Sequence, residues 1–376
     1  MQLPSFALER FFARHEFKAR HLLCASDCES VSISELLSME PGASEAFGKL
    51  GLGYTESPGS PSLRAAIGRI HASVGPEDIL VTSGAEEAIF LFMHAALAPG
   101  DHLVVHQPCY QSLVDVARSI GCEVTGWQAR EESAWELDPD DLPRLVRPST
   151  RAIVLNVPHN PTGFLMGRDA FLRTLECAEA RGLLLFSDEV YRGLERAPGD
   201  RLPPACDVSP SAVSLGVMSK TYGLPGLRIG WIATRNAGLK ARMAELKDYT
   251  TICASAPSEF LAEVALRHAE TLVTRNRGII DANLGLLDAF FRRRAHVFSW
   301  HRPKAGPIAF PRFLRGDAEG FCRDLVESNG VLLAPGVLFG GPGSHFRIGF
   351  GRRSMPEALA ELETFVERNL MDGRGA

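Results

Sequence analysis

Ser219-Lys220-Thr221-Tyr222-Gly223-Leu224-Pro225-Gly226-Leu227-Arg228-Ile229-Gly230-Trp231 is the stretch on which the rest of this sequence turns. Its lysine follows Ala212–Met218, an apolar run that reads as a buried strand. Eight residues later an arginine stands beyond a turn punctuated by glycine and proline. An amine at the end of a buried strand is costly unless it is paired or covalently used. Desolvation lowers its pKa and makes it the nucleophile that a Schiff base with a carbonyl group requires. The arginine suits a phosphate, which a planar guanidinium grips through two parallel charge-assisted bonds. An aldehyde that also carries a phosphate describes pyridoxal 5'-phosphate (PLP). A surface lysine and a helix-capping arginine in an ordinary loop is the alternative, and the stretch alone leaves both open.

Working outward, short apolar runs alternate with helical patterns from about residue 79, the signature of an α/β unit with a mainly parallel sheet. The expected strands are Ile79–Thr82, Leu103–His106, Ala152–Asn156, Leu183–Ser187, Ala212–Met218 and Ile229–Thr234. Helices are expected from Gly84, from near Gln111, and behind the N-cap pair Asp138-Pro139. One long helical segment, Ser258 to Arg294, carries the chain into a smaller α+β region. That region has strands at Ile308–Phe313, Val331–Ala334 and Phe346–Phe350 and a helix at Pro356–Leu370. Toward the N-terminus, Phe6, Leu8, Phe11, Phe12 and Phe17 suggest one helical face, and Ser32-Ile33-Ser34-Glu35 has capping-box spacing. The tail Gly373-Arg374-Gly375-Ala376 is expected to fray.

Several strand ends carry chemistry-bearing residues. Ile79-Leu80-Val81-Thr82-Ser83-Gly84-Ala85-Glu86-Glu87 reads strand, tight turn, helix, and the first helical N–H groups form an anion site. The two glutamates would stabilise such a helix start without any ligand. Asn156-Val157-Pro158-His159-Asn160-Pro161-Thr162-Gly163 puts Asn160 beyond a strand's carboxyl end, where open parallel sheets bind ligands, although an Asn-Pro turn needs none. Ser187-Asp188-Glu189-Val190-Tyr191 leaves a carboxylate behind an apolar run; a protonated pyridine nitrogen would pair with it, and an N-cap is the simpler use. Tyr110 offers a ring face for a flat cofactor or for plain packing. In His345-Phe346-Arg347-Ile348-Gly349-Phe350 the arginine suits a carboxylate or a structural ion pair.

Composition narrows the classes. At 376 residues the chain is long enough for two domains, and 45% hydrophobic with 23% charged residues is the balance of a globular protein. A net charge of -5 offers no basic footprint for nucleic acid. No apolar run is long enough to span a bilayer, and Met1-Gln2-Leu3-Pro4 opens no secretory signal. Eight scattered cysteines read as reduced thiols of a cytoplasmic protein, without a structural zinc pattern.

In order and spacing these segments resemble the fold-type I, class I/II PLP-dependent aminotransferases over about residues 50–370. The tyrosine of Gly53-Tyr54, the Ser-Gly-Ala turn, Asn-Pro-Thr-Gly, Asp-x-x-Tyr, Ser-Lys-x7-Arg-x-Gly-Trp and Phe-Arg-Ile-Gly all stand in family order. The resemblance implies a large domain whose mainly parallel seven-stranded sheet lies between helices, with a smaller α+β domain. The expected boundaries are an N-terminal arm with part of the small domain at 1–45, the PLP-binding domain at 46–275 and the small domain at 276–376. It implies that Lys220 holds PLP as a Schiff base, that Asp188 pairs with the ring nitrogen and that Tyr110 stacks on the ring. Asn160 and Tyr191 would bond the ring's O3' oxygen. Gly84 would permit the turn, with the N–H groups of Ala85 and Glu86, together with Ser219 and Arg228, on the phosphate. Arg347 would clamp the substrate α-carboxylate beside Asn160, and Tyr54 would reach the cofactor of a neighbouring subunit in a homodimer. Two departures stand out. Val217, three before the lysine, replaces a small or hydroxylated residue, and Leu23-Cys24-Ala25-Ser26-Asp27-Cys28-Glu29 lacks the arm's usual glycine signature.

The expected reaction is transfer of the amino group of an α-amino acid to a 2-oxo acid. A weaker resemblance, in the arm and in Leu-Pro-Gly-Leu-Arg-Ile-Gly-Trp, is to PLP enzymes that cyclise hydroxyarginine to capreomycidine. It implies a lyase or cyclase on the same scaffold, for which Glu16, Asp27 or Glu29 would favour a polar or basic substrate over their ordinary role as surface acids. A non-catalytic PLP-binding module is the third reading, and the intact lysine, aspartate and arginines weigh against it.

Overall fold

The computed structural model describes residues 3–371. The expected fraying of 373–376 concerns residues outside that range. A seven-stranded sheet organises the large domain: β1 (Ile79–Thr82), β2 (His102–Gln107), β3 (Glu123–Gln128), β4 (Thr150–Asn156), β5 (Leu184–Asp188), β6 (Ala212–Val217) and β7 (Gly230–Ala233). Their spatial order is β1-β7-β6-β5-β4-β2-β3. Only β7 runs antiparallel to its neighbours, β1 and β6. The α/β architecture expected from sequence is therefore present, as a mainly parallel sheet between helices.

Both faces of the sheet are covered. Along β2, Leu103 and Val105 point into one core while Val104 points into another; along β5, Phe186 and Leu185 divide in the same way. This two-sided burial explains why these strands read as continuous apolar runs. Fully burying a side chain such as Leu185 or Phe186 contributes roughly 1.5–3 kcal/mol. A third core gathers Ile79, Val81, Met218 and Ala233 with the helix Pro61–Gly68 and the helix Ala256–Arg267.

Five expectations need correction. Strand β3, Glu-Val-Thr-Gly-Trp-Gln, was absent from the expected set; it lies at the sheet edge, is buried only at Trp127, and so lacks an apolar run. The long helix is two, Ala256–Arg267 and Ala269–Arg293, parted at His268, whose φ of -109° and ψ of 25° leave the helical region without a glycine or proline to announce it. Asp138-Pro139 opens only a short 3-10 turn, Pro139–Asp141, before the four-residue helix Leu142–Leu145. In the small domain the expected strand Ile308–Phe313 breaks into Ile308–Ala309 and Arg312–Phe313 around Pro311, which has no N–H to donate. Val331–Ala334 likewise divides, Val331–Leu332 pairing with His21–Leu22 of the N-terminal arm and Ala334–Pro335 with Phe346–Gly349.

That pairing is what brings the arm to the site. Leu23 N–H donates to Leu332 O at 3.0 Å, and Gly349 N–H donates to Leu23 O at 2.8 Å. A Cβ on Gly349 would stand 1.9 Å from Ala25 O, so only glycine lets the arm lie this close. Ahead of it, the helix α1 (Ala7–His15) is tied on by Ala7 N–H, which donates to Gln111 Oε1 at 2.8 Å.

Candidate active site

The carboxyl ends of β4, β5 and β6 lie side by side, with Asn156 opposite Asp188 and Asp188 opposite Leu215. Loops leaving these ends, the start of the helix α2 (Gly84–Ala96), the arm and the small domain enclose a cavity of about 560 Å³. Ala85, Glu86, Tyr110, Asn160, Asp188, Tyr191, Ser219, Lys220, Arg228 and Arg347 all line it. Among the residues singled out from sequence, Tyr54 stands apart at 94% exposed and does not reach this cavity. Glu29 is also absent from the wall; its carboxylate accepts from Arg353 N–H at 2.9 Å.

Lys220 follows β6 by three residues, and its Nζ donates to Ser26 Oγ at 2.9 Å. Burial lowers the pKa of this amine; Arg347 lowers it further, while Asp27 and Asp188 oppose the change. Asp188 is 6% exposed, and burial raises its carboxyl to about 7 against the pull of the Val190 N–H and Lys220. A buried carboxyl held near neutrality is ready to ionise against a cation placed before it.

Asn160 is positioned through Asn156. The Asn156 side chain donates to Pro158 O and Asp188 O, at 3.1 and 3.0 Å, and its Oδ1 accepts from Asn160 N–H at 2.7 Å. Asn160 Oδ1 in turn accepts from Arg347 Nη1 at 3.0 Å, and Arg347 Nη2 donates to Cys24 O at 2.9 Å. Arg347 is 1% exposed, sits 4.8 Å from the Phe339 ring centroid and leaves Nε without a protein partner. Among the described residues no carboxylate pairs with this guanidinium, and a buried cation so placed is built to receive an anion.

Arg228 and the start of α2 form another part of the wall. Gly84 has φ of +77°, and a Cβ there would stand 2.5 Å from Arg228 Nη2. A Cβ on Gly230 would stand 2.7 Å from the Gly84 carbonyl carbon. Two glycines thus let the arginine and the start of α2 close around a shared space. Glu87 Oε2 accepts from Ser83 N–H at 2.6 Å and steadies the turn. Burial raises Glu86 to about 7, so this acid can stand near an anion uncharged. Val217 presents only an apolar wall here.

The residues fit PLP on grounds the structure itself supplies. Tyr191 Oη is buried with no partner at hydrogen-bonding geometry among the described residues, and burial raises its pKa although Arg347 and the Ser26 hydroxyl oppose this. A ring oxygen would give that phenol a partner. Asp188 would face a ring nitrogen, Lys220 the aldehyde, and Arg228 with the start of α2 the phosphate.

Sequence reasoning missed the wall the arm builds. Glu9 accepts from Tyr110 Oη at 3.2 Å, and Phe6 meets the Tyr110 ring with centroids 5.2 Å apart. Asp27 forms a two-bond pair with Arg352, at 3.0 and 2.8 Å. Glu16 also lines the cavity, its pKa raised chiefly by burial. Of these only Glu16 and Asp27 had been singled out, as acids. Nothing local marks Glu9, Ser26 or Arg352, because each gains meaning only from residues far along the chain.

Comparison with known proteins agrees with this geometry. The family model for aminotransferases of class I and II matches residues 40–362. The chain is 31% identical to capreomycidine synthase of Streptomyces vinaceus, over 96% of this chain and 93% of that one. It superposes on a PLP-dependent aminotransferase from Streptococcus suis with a TM-score of 0.92 at 32% identity, covering 98% of this chain and 99% of the other. The PLP-dependent cyclase OrfR follows with a TM-score of 0.89 at 31% identity, over 98% of each chain.

Proposed function

This chain belongs to the class I and II aminotransferases and uses PLP, and from that premise we propose that its own residues divide the work as follows. The enzyme transfers the amino group of an α-amino acid to a 2-oxo acid. Bound PLP supplies the electron sink that loosens the substrate's Cα–H bond and carries the amino group between the two substrates. Lys220 Nζ holds the coenzyme covalently and, once displaced by substrate, moves the proton at Cα as a general base. Asp188 keeps the ring nitrogen protonated; Tyr191 and Asn160 fix the ring through its oxygen, and Tyr110 lies against its face. Ser219, Arg228 and the first N–H groups of α2, at Ala85 and Glu86, hold the phosphate. Arg347 binds the substrate α-carboxylate, oriented by Asn160 and Cys24 O.

The observation that carries this proposal is the convergence of an amine-bearing, an acid-bearing and an asparagine-bearing strand end on one cavity whose wall also carries Arg228 and Arg347. Borohydride reduction of the holoenzyme should label Lys220, and adding amino acid alone should convert the coenzyme's absorbance to that of pyridoxamine phosphate. Labelling elsewhere, or no such half-reaction with any of the twenty amino acids, would overturn it.

A second reading, a lyase or cyclase acting on a polar or basic amino acid, has one observation in its favour. With Asp27 engaged by Arg352, Glu9 and Glu16 remain on the wall as acids for a cationic side chain. Conversion of a basic amino acid without pyridoxamine phosphate would select this reading over the first.

We further divide the chain into an arm region at 1–45, a PLP-binding domain at 46–275 and a small domain at 276–376, and place it in a cytoplasm, in keeping with its eight free cysteines. Among the described residues no helix is long and apolar enough to cross a membrane. Tyr54, exposed together with Leu52 and Tyr249, is read as serving the coenzyme of a second subunit. A holoenzyme that sediments as a monomer would remove it from that role.

A further inference from the structure

Three ligating side chains meet at a place where none of them lines the coenzyme cavity. His71 lies shortly after the helix Pro61–Gly68, while Cys206 and Asp207 belong to the short helix Ala205–Val208. His71 Nδ1 is 3.5 Å from Cys206 Sγ and 3.8 Å from Asp207 Oδ2, and one ligand atom from each residue lies within 4.8 Å of the others. The side chains of His71 and Asp207 are 4% and 9% exposed, and Cys206 is fully buried.

We propose that His71 Nδ1, Cys206 Sγ and Asp207 Oδ2 form a zinc site that pins residues 70–73 to the helix Ala205–Val208. Three properties carry this. The first is distance: zinc bound tetrahedrally to sulfur at about 2.3 Å and nitrogen at about 2.0 Å separates those atoms by roughly 3.5 Å, and nitrogen from oxygen by roughly 3.3 Å. The two observed edges at Nδ1, 3.5 and 3.8 Å, lie close to these values, and the sulfur–oxygen edge lies within 4.8 Å. The second is orientation. Ala72 N–H donates to Asp207 Oδ2 at 2.9 Å, Ser73 N–H to Oδ1 at 3.0 Å, and Cys206 N–H to Ser214 Oγ at 3.0 Å. Ligands braced from outside in this way are pre-set for a metal. The third is charge: one thiolate and one carboxylate neutralise a divalent ion, so the occupied site adds no net charge to a buried place. A neighbouring cavity of about 40 Å³ borders His71 and has room for water. A thiolate, an imidazole and a carboxylate favour zinc over magnesium or calcium. On binding, the sulfur–zinc bond replaces the thiol S–H bond and the proton leaves to solvent; nothing is oxidised or reduced.

The test uses the metal-stripped holoenzyme with Zn(II) and Co(II) salts as probes. One equivalent per chain should bind, and Co(II) should give the visible bands of a tetrahedral cobalt thiolate, to the red of the coenzyme's absorption. Cys206→Ser should abolish those bands, and both Cys206→Ser and His71→Gln should weaken zinc binding by about 100-fold or more. Substituting the half-buried Cys177 and Cys253 should change neither. Melting in a chelator guards against misfolding: the variants should melt with the wild type there, and only the wild type should gain stability when zinc is added. Absence of the bands, or equal zinc binding by wild type and Cys206→Ser, would overturn the site and leave only a thiol–imidazole hydrogen bond. Either result leaves the coenzyme chemistry of Lys220 untouched, so the two proposals fail separately.

Discussion

Burial drives Asp188 and Lys220 toward the same neutral state from opposite sides, raising the acid to about 7 and lowering the amine. Neither group is stable there as an isolated ion, and each becomes useful once a ring with a basic nitrogen and an aldehyde lies between them. Asp188→Asn should keep the covalent link to Lys220, because the amine is untouched, yet lose the charge that holds the ring nitrogen protonated. We expect kcat/KM to fall by about 10²–10³-fold, the cost of removing one well-placed electrostatic group. Single-turnover absorbance would check it, and an unchanged half-reaction rate would exclude the pairing. Arg347 tests a different property. Arg347→Lys keeps a cation but loses the fork that reaches Asn160 and Cys24 O together. Amino-acid KM should rise by tenfold or more, about 1.4 kcal/mol, with the coenzyme spectrum unchanged. These residues were legible in the sequence because Lys220 and Asp188 each follow an apolar run and Arg347 stands between apolar neighbours, and because their spacing runs in family order. Ser26 and Glu9 were not, since a serine and a glutamate in a polar stretch look like any others.

At the scale of elements, the N-terminal arm forms one part of the cavity wall. Helix α1 carries Glu9 to the Tyr110 hydroxyl and sets Phe12 6.0 Å from the Arg347 guanidinium. The segment after it runs beside the strand that bears Arg347 and hands Ser26 to Lys220. Removing residues 1–19 takes away α1 but leaves the His21–Leu22 pairing and the seven-stranded sheet. The truncated enzyme should still bind PLP at Lys220, while its KM for amino acid rises by about tenfold, the loss of one interaction of roughly 1.4 kcal/mol. Steady-state kinetics with the reduced-lysine assay would check this; an unchanged KM would show that α1 does not shape the substrate end. The edge strand β3 and the break at His268 show the limit of sequence patterns at this scale. A half-exposed edge strand needs few apolar residues, and a helix can end without a breaker when tertiary contacts turn the chain.

Across the whole molecule, stability depends on pH through buried titratable groups. His106 and His159 stack in the interior with ring centroids 3.6 Å apart, and burial lowers both, His106 to about 3. An unfolded chain would protonate these rings below about 6.5. The folded protein does not, so their contribution is present above that pH and is lost as pH falls toward the folded value. At pH 5 the loss is roughly 2 kcal/mol per ring. Asp188 and Glu86, both raised to about 7, act the other way, contributing most at low pH and losing it as pH rises. The informative quantity is therefore a difference. Between about pH 7.5 and pH 5 the unfolding free energy of His106→Leu should fall by roughly 2 kcal/mol less than that of the wild type. Equal slopes in denaturant titrations at the two pH values would show that His106 does not titrate on unfolding.

By itself the sequence determined the coenzyme chemistry and the sheet that presents it. A lysine, an aspartate and an asparagine at strand ends, and a glycine turn at a helix start, are local arrangements a few residues long, and local physics makes them readable. Only the tertiary structure decided what surrounds the substrate. The arm supplies Glu9, Glu16, Ser26 and Asp27, the small domain supplies Arg347 and Arg352, and Asp27 meets Arg352 across a separation of 325 residues. Such contacts are set by how two domains and an arm close together, and that closure leaves no period or spacing in the chain.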